Sequence, residues 1–467
     1  MNGETINIES SANGENDKAT RLGFEPIGTL LINYSLPAII GMTASSLYNI
    51  IDRVFIGNGV GPLAISGLAL TLPIMALTAA FGAMIGSGAS AMVSIRLGQQ
   101  RREDATNILG NTLILNFIIG LSITVLGLIF VEPILYAFGA SDATLPYAKD
   151  FIEIILIANL FNHNFMGLNN VMRASGYPGK AMWSSILTVI VNLCLAPLFI
   201  FVFDWGIRGA AFATAIAQFS GFCWVMFHFI NKESFIHFQT GFFKLKKRIV
   251  GDILSIGMAP FLMNVTASLV AIVINTSLAK YGGEQGDMAI GAFGIIGSVA
   301  MLFIMIVIGL NMGMQPIAGY NFGAKRMDRV LKVYKLTTVA ATIITTFGFT
   351  LAILFPETIV SAFTDNIEMK ALASSALRII LLAFPIVGFQ VVTSTFFQSI
   401  GRAKLAIFLS LSRQLIFLIP GLLILPHFFG LNGVWIAMPL GDFCACIVTL
   451  AVIVWQRKKL FSAKHVL

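Results

Sequence analysis

The composition of this chain excludes an ordinary soluble domain. Of its 467 residues, 57% are hydrophobic and only 11% are charged, and the mean hydropathy is +0.86. The formal net charge of +8 requires no nucleic-acid partner, because most of the basic residues fall in loops between apolar segments. The composition therefore predicts an all-α polytopic membrane protein.

The chain begins with a polar segment and continues as a series of apolar ones. Residues 1–25 lack an apolar core, which predicts a disordered cytoplasmic tail rather than a signal peptide. About twelve apolar segments follow, each long enough to cross a bilayer as a helix. They span 30–56, 63–95, 107–131, 147–172, 183–203 and 208–230, then 252–280, 288–318, 333–355, 371–397, 404–426 and 431–455. Such long runs contradict a membrane β-barrel, whose strands alternate over roughly ten residues.

The two halves of the chain repeat one another at an almost constant offset. The matching pairs are Pro37 with Pro260, Gly98 with Gly323, Arg101 with Arg326, and Gly176 with Gly401. A constant offset of this kind indicates an internal duplication. Six helices per copy make both copies enter the membrane in the same direction, which predicts two parallel six-helix lobes. We place the N-lobe at 26–230, a cytoplasmic linker at 231–250, the C-lobe at 251–456 and a cytoplasmic tail at 457–467.

The basic residues predict the orientation. When the helices are assigned in turn, most of the 30 Lys and Arg residues lie in loops on the same side as the N-terminus. The positive-inside rule then places both termini in the cytoplasm, and we expect a multi-pass membrane protein. The four cysteines show no disulfide or metal spacing, and no nucleotide-binding or nucleophile motif is present, so an enzyme is not expected.

The first predicted membrane helix carries the most informative polar group. Tyr48, Asn49 and Asp52 share one face of this helix, because they lie three and four residues apart. Asp52 could be a protonated structural residue or could pair with Arg53. We favour a role in ion coupling, because acidic groups inside membrane helices commonly serve ion or proton pathways.

Further polar residues point to a cavity between the helices. The fourth helix contributes His163, Asn169 and Asn170, the fifth Asn192, and the sixth Thr214 and Gln218; the second lobe contributes Asn275, which matches Asp52 in the repeat, and Gln315. These side chains could instead only join helices through hydrogen bonds. For Ser185 and Thr188 that alternative is the stronger one. For Asn192 and Thr214 the presence of a carboxylate in the same lobe favours cation coordination.

Several motifs together resemble the multidrug and toxic compound extrusion (MATE) transporters. In the first lobe they are Ser46 to Asp52, Asn169 to Gly176, and Asn192 to Pro197 with Gly206 to Ala211. In the second lobe they are Arg413-Gln414, Gly433 to Trp435, and Asp442. The second-lobe motifs resemble one branch of bacterial multidrug exporters. The resemblance covers nearly the whole chain after residue 25.

The resemblance implies an antiporter that exports amphipathic, often cationic, compounds in exchange for H⁺ or Na⁺. It assigns ion coupling to Asp52 with Tyr48, Asn192 and Thr214 around it, and the substrate cavity to residues that include Asn169. Two acids found in other branches are missing, at Ala196 and near Ala267. H⁺ and Na⁺ both remain open as the coupling ion, with Asp52, Asn192 and Thr214 as possible Na⁺ ligands. No other cofactor is expected, and the expected partners are small-molecule drugs and the bilayer, with a functional monomer.

Two other functional classes fit less well. A lipid-linked oligosaccharide flippase of related architecture would have roughly fourteen helices and a cluster of cavity arginines that bind pyrophosphate. A receptor or channel would not explain the parallel duplication, and no pore loop is repeated.

Overall fold

The computed structural model describes residues 19–232, 234–239, 241 and 244–461. Within these ranges every regular element is helical, and the predicted all-α class is confirmed. The remaining residues, which include most of the predicted N-terminal tail and the end of the predicted C-terminal tail, lie outside the described part.

The first lobe contains six long helices and two short ones. A single turn, α1 (Arg21–Phe24), precedes α2, and the short α5 (Val131–Ala137) follows the third long helix. The long helices are α2 (Ile27–Gly59), α3 (Pro62–Gly98), α4 (Arg102–Ile129), α6 (Leu145–Ala174), α7 (Pro178–Pro197) and α8 (Gly206–Ile230). A π-helical turn at Leu198–Val202 extends α7. All six long helices coincide with predicted membrane segments.

The second lobe repeats this order. Its helices are α9 (Lys247–Gly282), α10 (Gly286–Gly323), α11 (Met327–Leu354), the short α12 (Pro356–Ser361), α13 (Ile367–Ile380), α14 (Phe384–Ser399), α15 (Ala403–Leu411) and α16 (Ile419–Phe461). The short α12 occupies the place that α5 occupies in the first lobe. A π-helical segment, Ser412–Leu418, joins α15 to α16.

Ten helical stretches are long and apolar enough to cross a membrane within the described part of the chain. Two of them, of 77 and 54 residues, are far too long for a single crossing of about 20 residues. Each is interrupted by a glycine with positive φ, Gly283 (φ 55°) in the first and Gly430 (φ 57°) in the second. Each therefore supplies two crossings, and the total agrees with the twelve predicted.

The duplication is visible in the backbone conformation. Gly176 and Gly401 both have positive φ, at 101° and 75°. The non-glycine residues Gln100 and Lys325, which occupy matching loops after α3 and α10, adopt left-handed backbone at φ 59° and 58°. Non-glycine residues rarely adopt this conformation. Its recurrence at matching positions indicates that both copies retain the same turn.

The boundary of the predicted N-terminal tail is wrong at its inner end. Residues 19–25 are ordered, with Leu22 completely buried. Asn321 and Arg329 of the second lobe donate hydrogen bonds to the Leu22 carbonyl, and Arg329 also donates to the Glu25 carbonyl at 2.6 Å. These bonds attach the start of the first lobe to the second. The predicted linker also ends early, because α9 begins at Lys247.

The two lobes are in very close contact at the ends predicted to be cytoplasmic. A Cβ atom added to Gly257 of α9 would lie 1.8 Å from the Met84 carbonyl oxygen of α3. A Cβ added to Gly98 would lie 1.9 Å from the carbonyl oxygen of Tyr320, and the matching Gly323 shows the reciprocal contact with Ile95 at 2.1 Å. Only glycine allows backbones to approach this closely. We call this set of contacts the inner seal.

Candidate functional site

Two adjoining cavities lie above the inner seal, mainly on the surface of the first lobe. The outer cavity has a volume of about 680 Å³. Its polar lining consists of Ser45, Tyr48, Thr78, Asn159, Asn162, Thr188, Thr214 and Gln218, and Met301 of the second lobe completes the wall. Polar groups from α2, α3, α6, α7 and α8 therefore line one cavity, and the predicted site residues Tyr48, Thr214 and Gln218 are among them.

The inner cavity, of about 300 Å³, shares Ser45, Phe165 and Met166 with the outer one. Its polar lining consists of Ser45, Ser46, Asn169, Asn170, Arg173 and Ser185, and its apolar lining includes Pro37, Met42, Met182, Met305 and Met312. Met305 and Met312 belong to α10, so this cavity lies between the lobes. Methionine is flexible and polarisable, and such walls suit ligands of varied shape.

Asp52 lies inside the first lobe rather than on its surface. The residue is 8% exposed, and none of the ion pairs found among the described residues includes it. Its Oδ1 atom is buried without a hydrogen-bond partner in that part of the chain. The neighbouring Arg53 is exposed. The carboxyl group is thus neither directed to lipid nor held by the adjacent arginine.

Asn192 and Thr214 join α7 to α8. The Asn192 Nδ2 donates a hydrogen bond of 3.0 Å to Thr214 Oγ1, and both residues are buried. The Asn192 Oδ1 atom is buried and has no partner among the described residues, as is also true of Gln218 Oε1. These amide oxygens could accept a proton donor or a cation, because unpaired buried acceptors are otherwise costly.

A second polar cluster lies at the inner end of α6. The Arg173 guanidinium donates from Nη1 to Asn170 Oδ1 at 3.0 Å and from Nη2 to Asn169 Oδ1 at 3.1 Å. Asn169 in turn donates to the Ala181 carbonyl at 2.9 Å and to the Ser184 hydroxyl at 2.6 Å. The predicted cavity residues Asn169 and Asn170 are therefore both on the lining and fixed in position.

Three predicted cavity residues line neither cavity. His163 is completely buried, and its Nε2 lies 2.9 Å from the Thr78 carbonyl oxygen, so it joins α6 to α3. Gln315 donates a 3.0 Å hydrogen bond to the Ser87 carbonyl across the lobe interface. Asn275 is exposed on α9. Their assignment to the substrate cavity stays a prediction, and the side chain of Asn49 lies outside the described part.

Three further residues line the cavities, of which Asn159 and Asn162 belong to the polar stripe of the fourth predicted helix and only Arg173 was not expected there from the sequence. Asn159 and Asn162 both reach the outer cavity, and Arg173 reaches the inner one although the sequence placed it in a loop. Arg173 follows Asn169 and Asn170 by four and three residues, which places all three on one helix face. That spacing could have identified Arg173 from the sequence as a neighbour of the two asparagines.

The arrangement combines one titratable carboxyl group with cavities large enough for an organic molecule. No group of three or more His, Cys, Asp or Glu side chains that could hold a metal ion occurs among residues with described positions. A single carboxyl with amide and hydroxyl oxygens can take up a proton or a loosely held monovalent cation.

Comparison with known proteins agrees with this description. The family model described as MatE matches the chain twice, at residues 37–198 and 260–423. The multidrug export protein MepA of Staphylococcus haemolyticus is 28% identical over 90% of this chain and 92% of its own length. MepA of Staphylococcus aureus strain NCTC 8325 is 26% identical over 91% and 94%.

A solved structure has the same fold. It is described as the outward-facing conformation of a multidrug resistance MATE family transporter of the MOP superfamily. The TM-score is 0.89 at 25% sequence identity, with 98% of this chain and all of the other covered. The predicted two-lobe architecture and the resemblance to the MATE family are confirmed.

Proposed function

Since this chain belongs to the MATE family of membrane transporters, we propose that it is a secondary multidrug exporter that expels amphipathic compounds in exchange for H⁺ or Na⁺. Relatives that match about nine tenths of the chain are multidrug export proteins. The two cavities have mixed apolar and polar walls, and together they have room for a drug-sized molecule. We further propose that it acts as a monomer in the bacterial cytoplasmic membrane, with both termini inside.

The observation that carries the coupling proposal is the position of Asp52 on α2. This helix presents Ser45 and Tyr48 to the outer cavity, and one to two turns further along it holds a buried carboxyl with an unpartnered oxygen. A change of charge on Asp52 therefore acts on the same helix that lines the cavity. Asn192 and Thr214, linked to each other, supply further oxygens within the lobe.

Pro37 gives α2 a point of flexibility where the helix packs against the second lobe. Pro37 lies inside α2 and removes one backbone hydrogen bond, which lets the helix flex there. Ser35 and Ile39, on either side of Pro37, pack against Gly313 and Gly309 of α10. Uptake of an ion at Asp52 from the outside would change the packing of α2, lower the affinity for the drug and move the lobes relative to each other.

The experiment is transport of a fluorescent drug by purified protein in proteoliposomes, with a proton gradient or a sodium gradient imposed separately. Asp52→Asn should abolish gradient-driven transport of the dye. The matched control is Asp150→Asn, which removes an acid from the surface, where Asp150 pairs with Arg208. Full gradient-driven transport by Asp52→Asn would exclude this residue from coupling. Whichever gradient drives the wild-type protein identifies the ion.

A further inference from the structure

Arg173 is the one charged residue on the lining of the two cavities, as far as the described residues go. Taking the proposed export function as given, we infer that Arg173 forms an anion-accepting subsite at the floor of the inner cavity. Its ligand is the carboxylate, or a similar anionic group, of an amphipathic substrate. The inference narrows the expected substrates from simple cations to molecules that also carry a negative charge.

The guanidinium has no negative partner in the part of the chain that the structure describes. It is 6% exposed, and no ion pair among the described residues includes it. Its two recorded hydrogen bonds go to the neutral amide oxygens of Asn169 and Asn170, and its Nε atom is buried with no partner in the described part of the chain. Guanidinium carries five N–H donors in a planar fork that matches carboxylate geometry. A buried, uncompensated cation attracts an anion strongly, because little water screens it.

The position of the guanidinium is fixed in advance. Asn169 is held by the Ala181 carbonyl and the Ser184 hydroxyl of α7, so the oxygen that accepts from Arg173 cannot easily rotate away. A side chain held in this way loses little conformational freedom when a ligand binds. The guanidinium group is therefore preorganised for ligand binding.

A purely structural role is the main alternative, because Arg173 lies in the last turn of α6, where a cation stabilises the helix dipole. The second lobe argues against a structural requirement for the charge. By the repeat offset the residue that matches Arg173 is Gln398, which is also buried and is neutral. The duplicated fold therefore forms at this position without a cation.

The walls of the inner cavity define the rest of the ligand. Phe165, Met166 and Met182 provide an apolar surface next to Arg173, and flat aromatic groups pack well on such side chains. The substrate class is therefore an aromatic amphiphile with an anionic group at one end.

The test uses two xanthene dyes that share one cationic ring system, a rhodamine with a free carboxyl group and its methyl ester. Binding to the purified full-length protein is measured by fluorescence anisotropy, and transport is measured in proteoliposomes. The wild-type protein should bind the acid about tenfold more tightly than the ester, or about 1.4 kcal/mol. Arg173→Gln should remove this preference, because binding of the acid should weaken much more than binding of the ester. Lys180→Gln, which removes an exposed cation at the nearby start of α7, should change neither value.

The outcomes separate the inference from the proposed function. Transport of the ester together with equal or weaker binding of the acid by the wild type would overturn the anion subsite and leave the exporter in place. Equal losses for both dyes in Arg173→Gln would show that the residue only supports the fold. Absence of transport of either dye by the wild type would contradict the proposed function itself. If Arg173→Gln does not fold, Arg173→Lys keeps the charge without the fork, and a retained but smaller preference for the acid supports the subsite.

Discussion

The inner seal should open when a single methyl group is added at Gly257. The added Cβ would lie 1.8 Å from the Met84 carbonyl oxygen and 2.6 Å from its carbon. These are backbone atoms, so no rotamer change in a neighbouring side chain can relieve the clash. Since ordinary contacts begin at about 3.4 Å, α9 and α3 must separate by about 1.5 Å.

The cost of this clash falls only on the conformation in which the inner ends are closed. Overpacking of this kind typically costs about 1–3 kcal/mol. An energy of that size shifts an equilibrium between two states by roughly 5- to 150-fold. Gly257→Ala should therefore raise the population of the conformation that is open at the inner side.

The assay follows the labelling of a cysteine placed at Ser94, which is completely buried on α3 next to Gly319 of α10. The four native cysteines are first replaced by serine, and a membrane-impermeant maleimide is added to inside-out vesicles. Labelling in Gly257→Ala should be about tenfold faster than in the parent, within the range given above. Gly251→Ala is the control on the same helix, because nothing lies within 4 Å of a Cβ there.

Equal labelling rates in Gly257→Ala and Gly251→Ala would refute the reasoning. The close approach of α9 and α3 would then not determine whether the inner side opens. Slower labelling in Gly257→Ala would also refute it, because it would mean that the closed conformation had become more stable.

Three further predictions concern other contacts. Arg413 and Asp442 form a partly buried ion pair at 2.6 Å, so Arg413→Gln should lower stability by about 1–3 kcal/mol in thermal unfolding, and adding Asp442→Asn should restore much of the loss. Arg329→Ala should speed amide exchange of residues 21–25 roughly tenfold by mass spectrometry, because the Glu25 carbonyl loses this donor and the Leu22 carbonyl keeps only Asn321. Asn192→Leu removes the bond to Thr214 and should raise the ion concentration needed for half-maximal transport about fivefold; an unchanged value would exclude Asn192 from coupling.

The membrane helices were predictable because hydropathy is a local property and the chain shows it along its whole length. The order at the inner end of the predicted tail could not be predicted in this way. Residues 19–25 contain too few apolar groups to fold alone, and they are ordered by hydrogen bonds from Asn321 and Arg329, some 300 positions away in the sequence. Sequence patterns carry no information about such distant donors.

The site was predictable only as far as helix periodicity reaches. The four-residue spacing of Thr214 and Gln218 placed both on one face, and both line the outer cavity. For His163, periodicity gives a helix face but does not say what that face contacts. The His163 side chain contacts α3 and α4, where Gly82 and Gly120 leave room for the imidazole. The ring is therefore enclosed between these helices.

The two copies of the repeat share glycine contacts, turns and helix prolines but differ in their charged residues. The seal glycines Gly98 and Gly323, the left-handed turns, and the prolines of α2 and α9 recur in both lobes. By the repeat offset, Arg413 and Asp442 fall within a residue or so of Thr188 and Gln218, which line the outer cavity of the first lobe. In the second lobe, this place therefore holds an ion pair instead of polar cavity walls.

A seal between two lobes needs matching surfaces on both, whereas one charge-changing group is enough to bias a two-state equilibrium. Selection on the duplicated copies could thus keep the geometry symmetric while the chemistry of binding and coupling became concentrated in the first lobe.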